Sequence, residues 1–294
     1  MTPSALTLLA PAKLNLHLKV LGRRPDGMHE LITLMQPLSL ADRLVLEPGG
    51  EGIRFSCSQA GLQEDNLVER AARLWFQAAG REPGVVLRLE KNIPVAAGLG
   101  GGSSDAAATL LGLNRLYGEP LARERLHELA SGLGADVPFF LYGVTALCTG
   151  VGDRVEPWPH FRCWHYLLVN PGVEVSTAWV YGELDLAWTS RPNLNKIYRP
   201  PSGDRPLEEI LVNDLEMVTT RAYPELGAIK EGLCRAGARG ALMSGSGPTV
   251  FGVFDSAAQA QQAAGDLPVG NKWWVRVCHG AHILAKRGRG AEWK

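Results

Sequence analysis

The strongest chemical signal in the chain is the stretch 94–104, in which Pro94, Val95, Ala96 and Ala97 lead into Gly98, Leu99, Gly100, Gly101, Gly102, Ser103 and Ser104. It separates two unlike segments. Residues 84–93 (GVVLRLEKNI) alternate and are rich in β-branched side chains, which predicts a strand; residues 105–116 (DAAATLLGLNRL) are rich in Ala and Leu, which predicts a helix. A glycine-rich loop between strand and helix is suited to holding anions. Glycine allows φ > 0 and close backbone approach to a ligand. The first N–H groups of a helix have no internal partner, and the helix dipole favours negative charge beside them. Ser103, Ser104 and Asp105 are each capable N-caps. A phosphate chain is the expected ligand. The loop is neither a Walker A sequence, since no Lys-Ser/Thr pair follows Gly102, nor a dinucleotide fingerprint, since Gly98, Gly100 and Gly102 lack the G-x-G-x-x-G spacing.

Two further residues have types that complement such a loop. Near the N-terminus Leu14, Leu16 and Leu18 alternate with Lys13, Asn15, His17 and Lys19, the pattern of a strand with one apolar and one polar face. Asp136 follows a Gly132-Leu133-Gly134 break and precedes Val137-Pro138 and two phenylalanines, a setting that predicts partial burial, and buried carboxylates are rare unless paired. Each has a plain alternative: a ligand-free turn for the loop, a solvated strand lysine for Lys13, a helix N-cap for Asp136. Together they are the parts that phosphoryl transfer needs, namely a polyphosphate cradle, a cation for the transferring group and a carboxylate for the acceptor hydroxyl.

The elements that would position these groups mix strands and helices without regular βαβ alternation, which predicts an α+β fold. Strands are expected at 6–21, 44–46, 53–55, 84–93, 144–148, 166–170, 250–254 and 273–278, with an apolar segment at 31–40. Helices are expected at 67–79 (opened by Asp65-Asn66 and closed by Gly80), 105–116, 121–131, 177–186, 207–220, 224–236 and 256–264. A second glycine/serine loop occupies 241–249 (ALMSGSGPT), the proline-rich stretch 189–206 reads as a mobile surface loop, and the basic tail after Ala285 as frayed. Pro157-Trp158-Pro159 is the expected linker between domains at 1–157 and 158–294.

The composition excludes several classes. Thirty basic and thirty acidic residues in 294 give zero formal charge, which argues against broad nucleic-acid binding. No apolar run approaches the roughly 20 residues of a membrane helix, and the N-terminus lacks a signal-peptide pattern. Five scattered cysteines without a CxxC argue against a zinc site or disulfide framework and fit a reducing, cytoplasmic location.

The segments PAKLNLHL (11–18), RPDGMHEL (24–31), PVAAGLGGGSSDAA (94–107), GADVPFF (134–140), GVGD (150–153), VNPGVEVST (169–177), NDLE (213–216) and SGSGPTVFGVF (244–254) together resemble the GHMP kinase superfamily, in the same motif order from about residue 8 to 285. The PAKLNL, D-G-x-H-E and GADVPFF segments resemble its branch that acts on a CDP-linked methylerythritol. The resemblance implies a two-domain α+β fold with the site in the interdomain cleft, ATP and Mg2+ as cofactors, and phosphorylation of the 2-hydroxyl of the methylerythritol. It places Lys13 and Asp136 on the family's catalytic pair, with Asp136 as base and Lys13 favouring its carboxylate form and stabilising the acceptor alkoxide. It places 94–104 on the ATP loop, Asn15 and His29 on polar groups of the substrate site with His29 at the cytosine, Tyr181 on an aromatic that stacks on that base, Thr177 near the methylerythritol, and Gly245, Ser246 and Gly247 in a supporting motif. No carboxylate is assigned to magnesium, for which Ser104 is a possible ligand. One position departs from the family pattern: Met28 stands before the motif histidine where an aromatic is usual, which leaves Tyr181 as the stacking ring and predicts weaker hold on the cytidine. Kinases of mevalonate or homoserine are disfavoured by His29 and GADVPFF, and a non-catalytic sensor by the presence of both Lys13 and Asp136.

Overall fold

In the computed structural model, which describes residues 5–62, 66–184, 207–268, 270 and 272–282, two long antiparallel strands carry the rest of the chain. Strand β1 (Leu6–Arg23) pairs with β2 (His29–Pro48) along nearly its whole length. The register shifts three times, between Pro11 and Lys13, between Asn15 and His17, and between Val20 and Gly22. Such irregularities bend a strand and re-aim its side chains, and two of them bracket Lys13–Asn15. The separate segments expected at 31–40 and 44–46 are one strand: β2 runs on through 41–43, which pair with Pro11, Ala10 and Leu9 of β1.

On the other side β2 changes neighbours. Its C-terminal half pairs with β4 (Gly84–Glu90), which is flanked in parallel by β3 (Gly52–Cys57); its N-terminal half pairs with β5 (Ala146–Thr149), which leads to β6 (Arg154–Pro157). Helices α1 (Leu67–Ala79), α2 (Gly101–Leu116), α3 (Arg123–Leu133) and the single turn α4 (Val137–Phe140) pack on this sheet. Helix α1 starts and stops where its sequence says: the Asn66 side chain accepts from Val68 N at 2.9 Å, and Gly80 closes the helix in the left-handed region. Helix α2 is buried along most of its length, and its alanines allow it to lie close against β1 and α1. Trp75, Phe76 and Tyr117 form an aromatic cluster beneath, with ring centroids 5.2–5.6 Å apart.

The second half builds a four-stranded antiparallel sheet in the order β11 (Trp274–His279), β7 (His165–Asn170), β10 (Val250–Phe254), β9 (Gly240–Met243). Leu14, Leu16, Leu34 and Leu38 of the long strands meet Tyr166, Leu168, Phe251 and Val253 of this sheet in one buried core, while α5 (Thr177–Glu183), α7 (Glu216–Ala222), α8 (Glu225–Arg235) and α9 (Ala257–Asp266) close a second one around Leu18 and Val20. The continuous helix expected at 207–220 does not form. A turn, α6 (Leu207–Ile210), is followed by a two-residue strand, β8 (Val212–Asn213), which pairs in parallel with β1 at His17 and Leu18. The Asn213 side chain supplies the reason, because its amide is bonded to backbone outside the helix path. Helix α5 ends at Glu183; the expected loop at 189–206 and the tail after Ala285 lie outside the described residues. All five cysteines are free, and no helix among the described residues is long and apolar enough to cross a membrane.

Candidate active site

The glycine loop runs from the end of β4 into α2, and its helix begins four residues earlier than the sequence predicts. Gly101 is the first helical residue and Gly100, at φ +69°, is the N-cap with no side-chain capping bond. Ser103, Ser104 and Asp105 are therefore inside the helix and cap nothing. The glycines explain the shift: a side chain on Gly100 would stand 3.0 Å from both the Lys13 stem and the Phe140 ring, so only glycine lets the first turn start against β1. The first internal bond is Ser104 N to Gly100 O at 2.9 Å, so the Gly101, Gly102 and Ser103 N–H groups precede the helix ladder. An uncapped N-terminus facing an open cleft favours an anion.

Strand β1 and the second glycine/serine loop grip the first loop from two sides. Lys13 N donates to Leu99 O at 2.9 Å, Thr249 N to Ala97 O at 3.4 Å, and the Ser244 hydroxyl to Gly98 O at 3.0 Å. Gly98 lies at φ +73°, and a Cβ there would fall 2.3 Å from Ser244 O and 2.8 Å from Gly247 O. The chain reverses again at the cis peptide between Gly247 and Pro248.

Lys13 is not a solvated strand lysine. It is 4% exposed, Asn15 is 3% exposed, and the polar face of β1 at this point is buried. The Lys13 ammonium donates to Asn15 Oδ1 and lies 3.5 Å from Asp136 Oδ2. Asn15 is oriented in turn by its own amide, which donates to Thr33 Oγ1 at 2.8 Å, so its carbonyl oxygen faces the lysine. Asp136 occupies the N-cap position of α4 but makes no capping bond; its side chain, 37% exposed, points to Lys13 and to solvent. The plain readings of both residues thus give way to a buried cation paired with a carboxylate that a ligand can still reach.

These groups line one cavity of about 1260 Å³. Its wall includes Lys13, Asn15, Met28, His29, Asp136, Thr177, Tyr181, Gly245 and Ser246, together with 94–98 and 100–103 of the loop. Leu99 and Ser104 are outside that wall. Leu99 points into the core between the sheets, and the Ser104 hydroxyl is buried with no hydrogen-bond partner among the described residues. At one end His29 and Tyr181 stack on each other, centroids 5.0 Å apart and planes 30° from parallel, and Met28 stands beside them 50% exposed. Burial and the Arg23 guanidinium hold His29 below the usual histidine range, which keeps it neutral; burial and the nearby Asp136 carboxylate push the Tyr181 hydroxyl up, which keeps it protonated. Thr177 Oγ1 is 2.8 Å from Ser246 Oγ.

A group the sequence reading missed sits at the other end. Lys91 bonds to Asp42 and, at 2.7 Å, to Asp105. Asp42 also accepts from Asn92 N at 2.5 Å and Ile93 N at 2.8 Å. Asp105 Oδ1 is buried with no hydrogen-bond partner among the described residues, and burial, with the adjoining Asp42 carboxylate, pushes the Asp105 carboxyl up to about 7. Lys91 and Asp105 line the cavity beside the α2 N-terminus. Their sequence signal was slight, because the three residues lie on β2, on the approach to the loop and in the first turns of α2.

Comparison with known proteins identifies the family. The family model for the GHMP kinases N terminal domain matches residues 66–144, and that for the GHMP kinases C terminal region matches 202–268. The chain is 47% identical over 274 residues to a 4-diphosphocytidyl-2-C-methyl-D-erythritol kinase of Geobacter metallireducens, covering 92% of this chain and 97% of that one, and 49% identical over 270 residues to the protein of the same name from Syntrophotalea carbinolica, covering 91% and 96%. A crystal structure of 4-(cytidine 5'-diphospho)-2C-methyl-D-erythritol kinase superposes with a TM-score of 0.80 at 41% identity, covering 94% of this chain and all of that one. Homoserine kinase from Cytophaga hutchinsonii shares the fold, with a TM-score of 0.75 at 20% identity over 96% of each chain. The chain belongs to the 4-diphosphocytidyl-2-C-methyl-D-erythritol kinase family of the GHMP kinases.

Proposed function

We propose that this chain transfers the γ-phosphoryl group of ATP to the 2-hydroxyl of 4-diphosphocytidyl-2-C-methyl-D-erythritol, a step of the non-mevalonate route to isoprenoid precursors. The observation that carries the reading is the Lys13–Asp136 pair, 3.5 Å apart in the same cavity as the uncapped N-terminus of α2. In this reading the loop N–H groups take the phosphates, Asp136 accepts the proton of the acceptor hydroxyl, and Lys13, held by Asn15, offsets charge on the alkoxide and the transferring group. His29, neutral and half-buried, offers one donor and one acceptor to the cytosine edge. Tyr181 offers its ring face to the base, which requires the His29–Tyr181 stack to open or the base to lie on its outer side. Thr177 and Ser246 face the acceptor.

Magnesium fits this site as an ion carried on the ATP phosphates, where it would neutralise their charge. The Ser104 hydroxyl on the first turn of α2, the possible ligand named from the sequence, is buried outside the cavity wall in this structure. The reading also includes a cytoplasmic location, in keeping with five free cysteines, and a division into units at 1–157 and 158–294, supported by a second sheet that draws its strands from 165–279. The test is a substrate panel with ATP and magnesium: 4-diphosphocytidyl-2-C-methyl-D-erythritol, mevalonate and homoserine. The expected result is turnover of the first alone, with 31P NMR placing the new phosphate on the 2-oxygen. Turnover of either other alcohol in preference to it refutes the assignment.

A further inference from the structure

We propose that Asn213, which is outside the cavity wall, is a positioning residue for phosphoryl transfer: it fixes the 243–246 loop against Lys13 and Asn15. The proposal rests on the kinase reading above.

Asn213 lies on β8, the short strand that pairs with β1 at Leu18, five residues along from Lys13. It is buried, and both protons of its amide go to one loop, Nδ2 donating to Met243 O and to Gly245 O, each at 2.8 Å. Its Oδ1 accepts from Leu215 N at 3.0 Å, which fixes the amide's orientation. The following residue ties the segment to β1: Asp214 N donates to Leu18 O at 3.0 Å and its carboxylate accepts from Val20 N at 2.9 Å. Two more side chains reach the same loop, with Glu216 accepting from Met243 N at 3.0 Å and Thr219 Oγ1 donating to Ser246 O at 3.2 Å. The loop's rear is thus held at Met243, Gly245 and Ser246 by side chains of one segment.

Its front meets the reacting groups. Ser244 Oγ accepts from Asn15 N at 3.3 Å and donates to Gly98 O at 3.0 Å, and a Cβ on Gly245 would stand 3.2 Å from Asn15 Oδ1 and 3.4 Å from Lys13 Nζ. Asn213 therefore connects the strand that carries Lys13 with the loop that backs Lys13, in the manner of a strut across both. Removing the amide leaves two buried carbonyls without their donor and frees the loop to shift relative to Lys13 and Gly98. Positioning errors of about 1 Å cost on the order of 10²-fold in rate. None of these bonds reaches Gly100–Ser103 at the α2 N-terminus, and the loop meets the nucleotide cradle only further back, at Gly98, so ATP binding should fall far less than kcat.

The experiment measures kcat, the KM of each substrate and ATP binding for wild type, Asn213→Ala, the isosteric Thr219→Val, and Ile229→Val, a buried one-methyl change on α8 that lowers stability without removing a hydrogen bond to the loop, all well below their unfolding midpoints. The expected result is a kcat lower by about 10²-fold in Asn213→Ala and by about threefold or more in Thr219→Val, with the ATP dissociation constant within about threefold of wild type, and wild-type kcat in Ile229→Val. If Asn213→Ala does not fold, Asn213→Ser and Thr219→Val carry the same comparison. A kcat within about threefold of wild type in the folded Asn213 variant, or an equal loss in Ile229→Val, overturns the proposal. Failure of the kinase reading is distinct, since the wild type itself would then show no turnover.

Discussion

Replacing Gly98 by alanine tests how the two glycine loops make one site. Gly98 stands at φ +73°, and the added methyl would meet Ser244 O at 2.3 Å and Gly247 O at 2.8 Å. Ordinary contact begins near 3.4 Å, so the second loop must withdraw by about 1 Å or the first must give way by as much. The neighbours are backbone carbonyls in a buried loop, and neither can swing aside as a flexible side chain would. The left-handed backbone costs an alanine about 1–2 kcal/mol and overpacking about 1–3 kcal/mol more, so stability should fall by roughly 2–5 kcal/mol, or on the order of 4–15 °C in Tm for a chain of this size. The same displacement strains the Ser244 bridge between Gly98 O and Asn15 N, and through Asn15 the Lys13 ammonium, so kcat should drop by about 10²-fold. Thermal unfolding and steady-state kinetics read both effects. Gly102→Ala supplies the contrast in stability, since its Cβ would meet only Leu67 Cδ1 at 3.6 Å and its Tm should stay within about 2 °C of wild type. Equal Tm values for the two variants, or wild-type kcat in Gly98→Ala, would refute the reasoning.

Asp105→Asn tests the buried triad by pH. The Asp105 carboxyl is pushed up from an ordinary 3.8 to about 7, so between those values the native state holds a proton that the unfolded chain releases, and the stability this supplies is lost as pH rises through about 7. The asparagine variant should therefore gain Tm relative to wild type as pH rises from about 5 to 8, and a difference independent of pH across differential scanning runs would contradict the assignment. Met28→Tyr adds an aromatic face at an exposed position of the cavity wall beside His29 and Tyr181. Stacking on a base is worth about 1–3 kcal/mol, so calorimetry should show 4-diphosphocytidyl-2-C-methyl-D-erythritol binding about fivefold tighter or more; a change under about twofold would mean that Met28 already supplies an equal contact.

Much of this site could be read from residue type and local spacing, because its principal parts are local. The glycine loop, Lys13 on an alternating strand and Asp136 after a break each announce themselves within a few residues, and the structure places all three in one cavity. What escaped was set by contacts distant in sequence. The start of α2 was misplaced because Ser and Asp are better caps than Gly in isolation, while the tight space against Lys13 and Phe140 selects Gly100. The helix expected at 207–220 has favourable local composition, but Asn213 bonds to carbonyls 30 and 32 residues away and breaks it. The candidate role of Lys13 was legible but its burial was not, because Asn15, Asp136 and the second loop supply it. The Asp42–Lys91–Asp105 group spans 63 positions and shows no spacing that marks a site.

The central claim is that Asp136, paired with Lys13, handles the proton of the acceptor hydroxyl. Its most direct test is the kcat of ATP-dependent phosphorylation of 4-diphosphocytidyl-2-C-methyl-D-erythritol by wild type and by Asp136→Asn, a near-isosteric change at a half-exposed position that should leave the fold intact. Turnover by wild type with a loss of about 10²-fold or more in the variant, at unchanged ATP affinity, is the predicted result; a variant kcat close to wild type would contradict it.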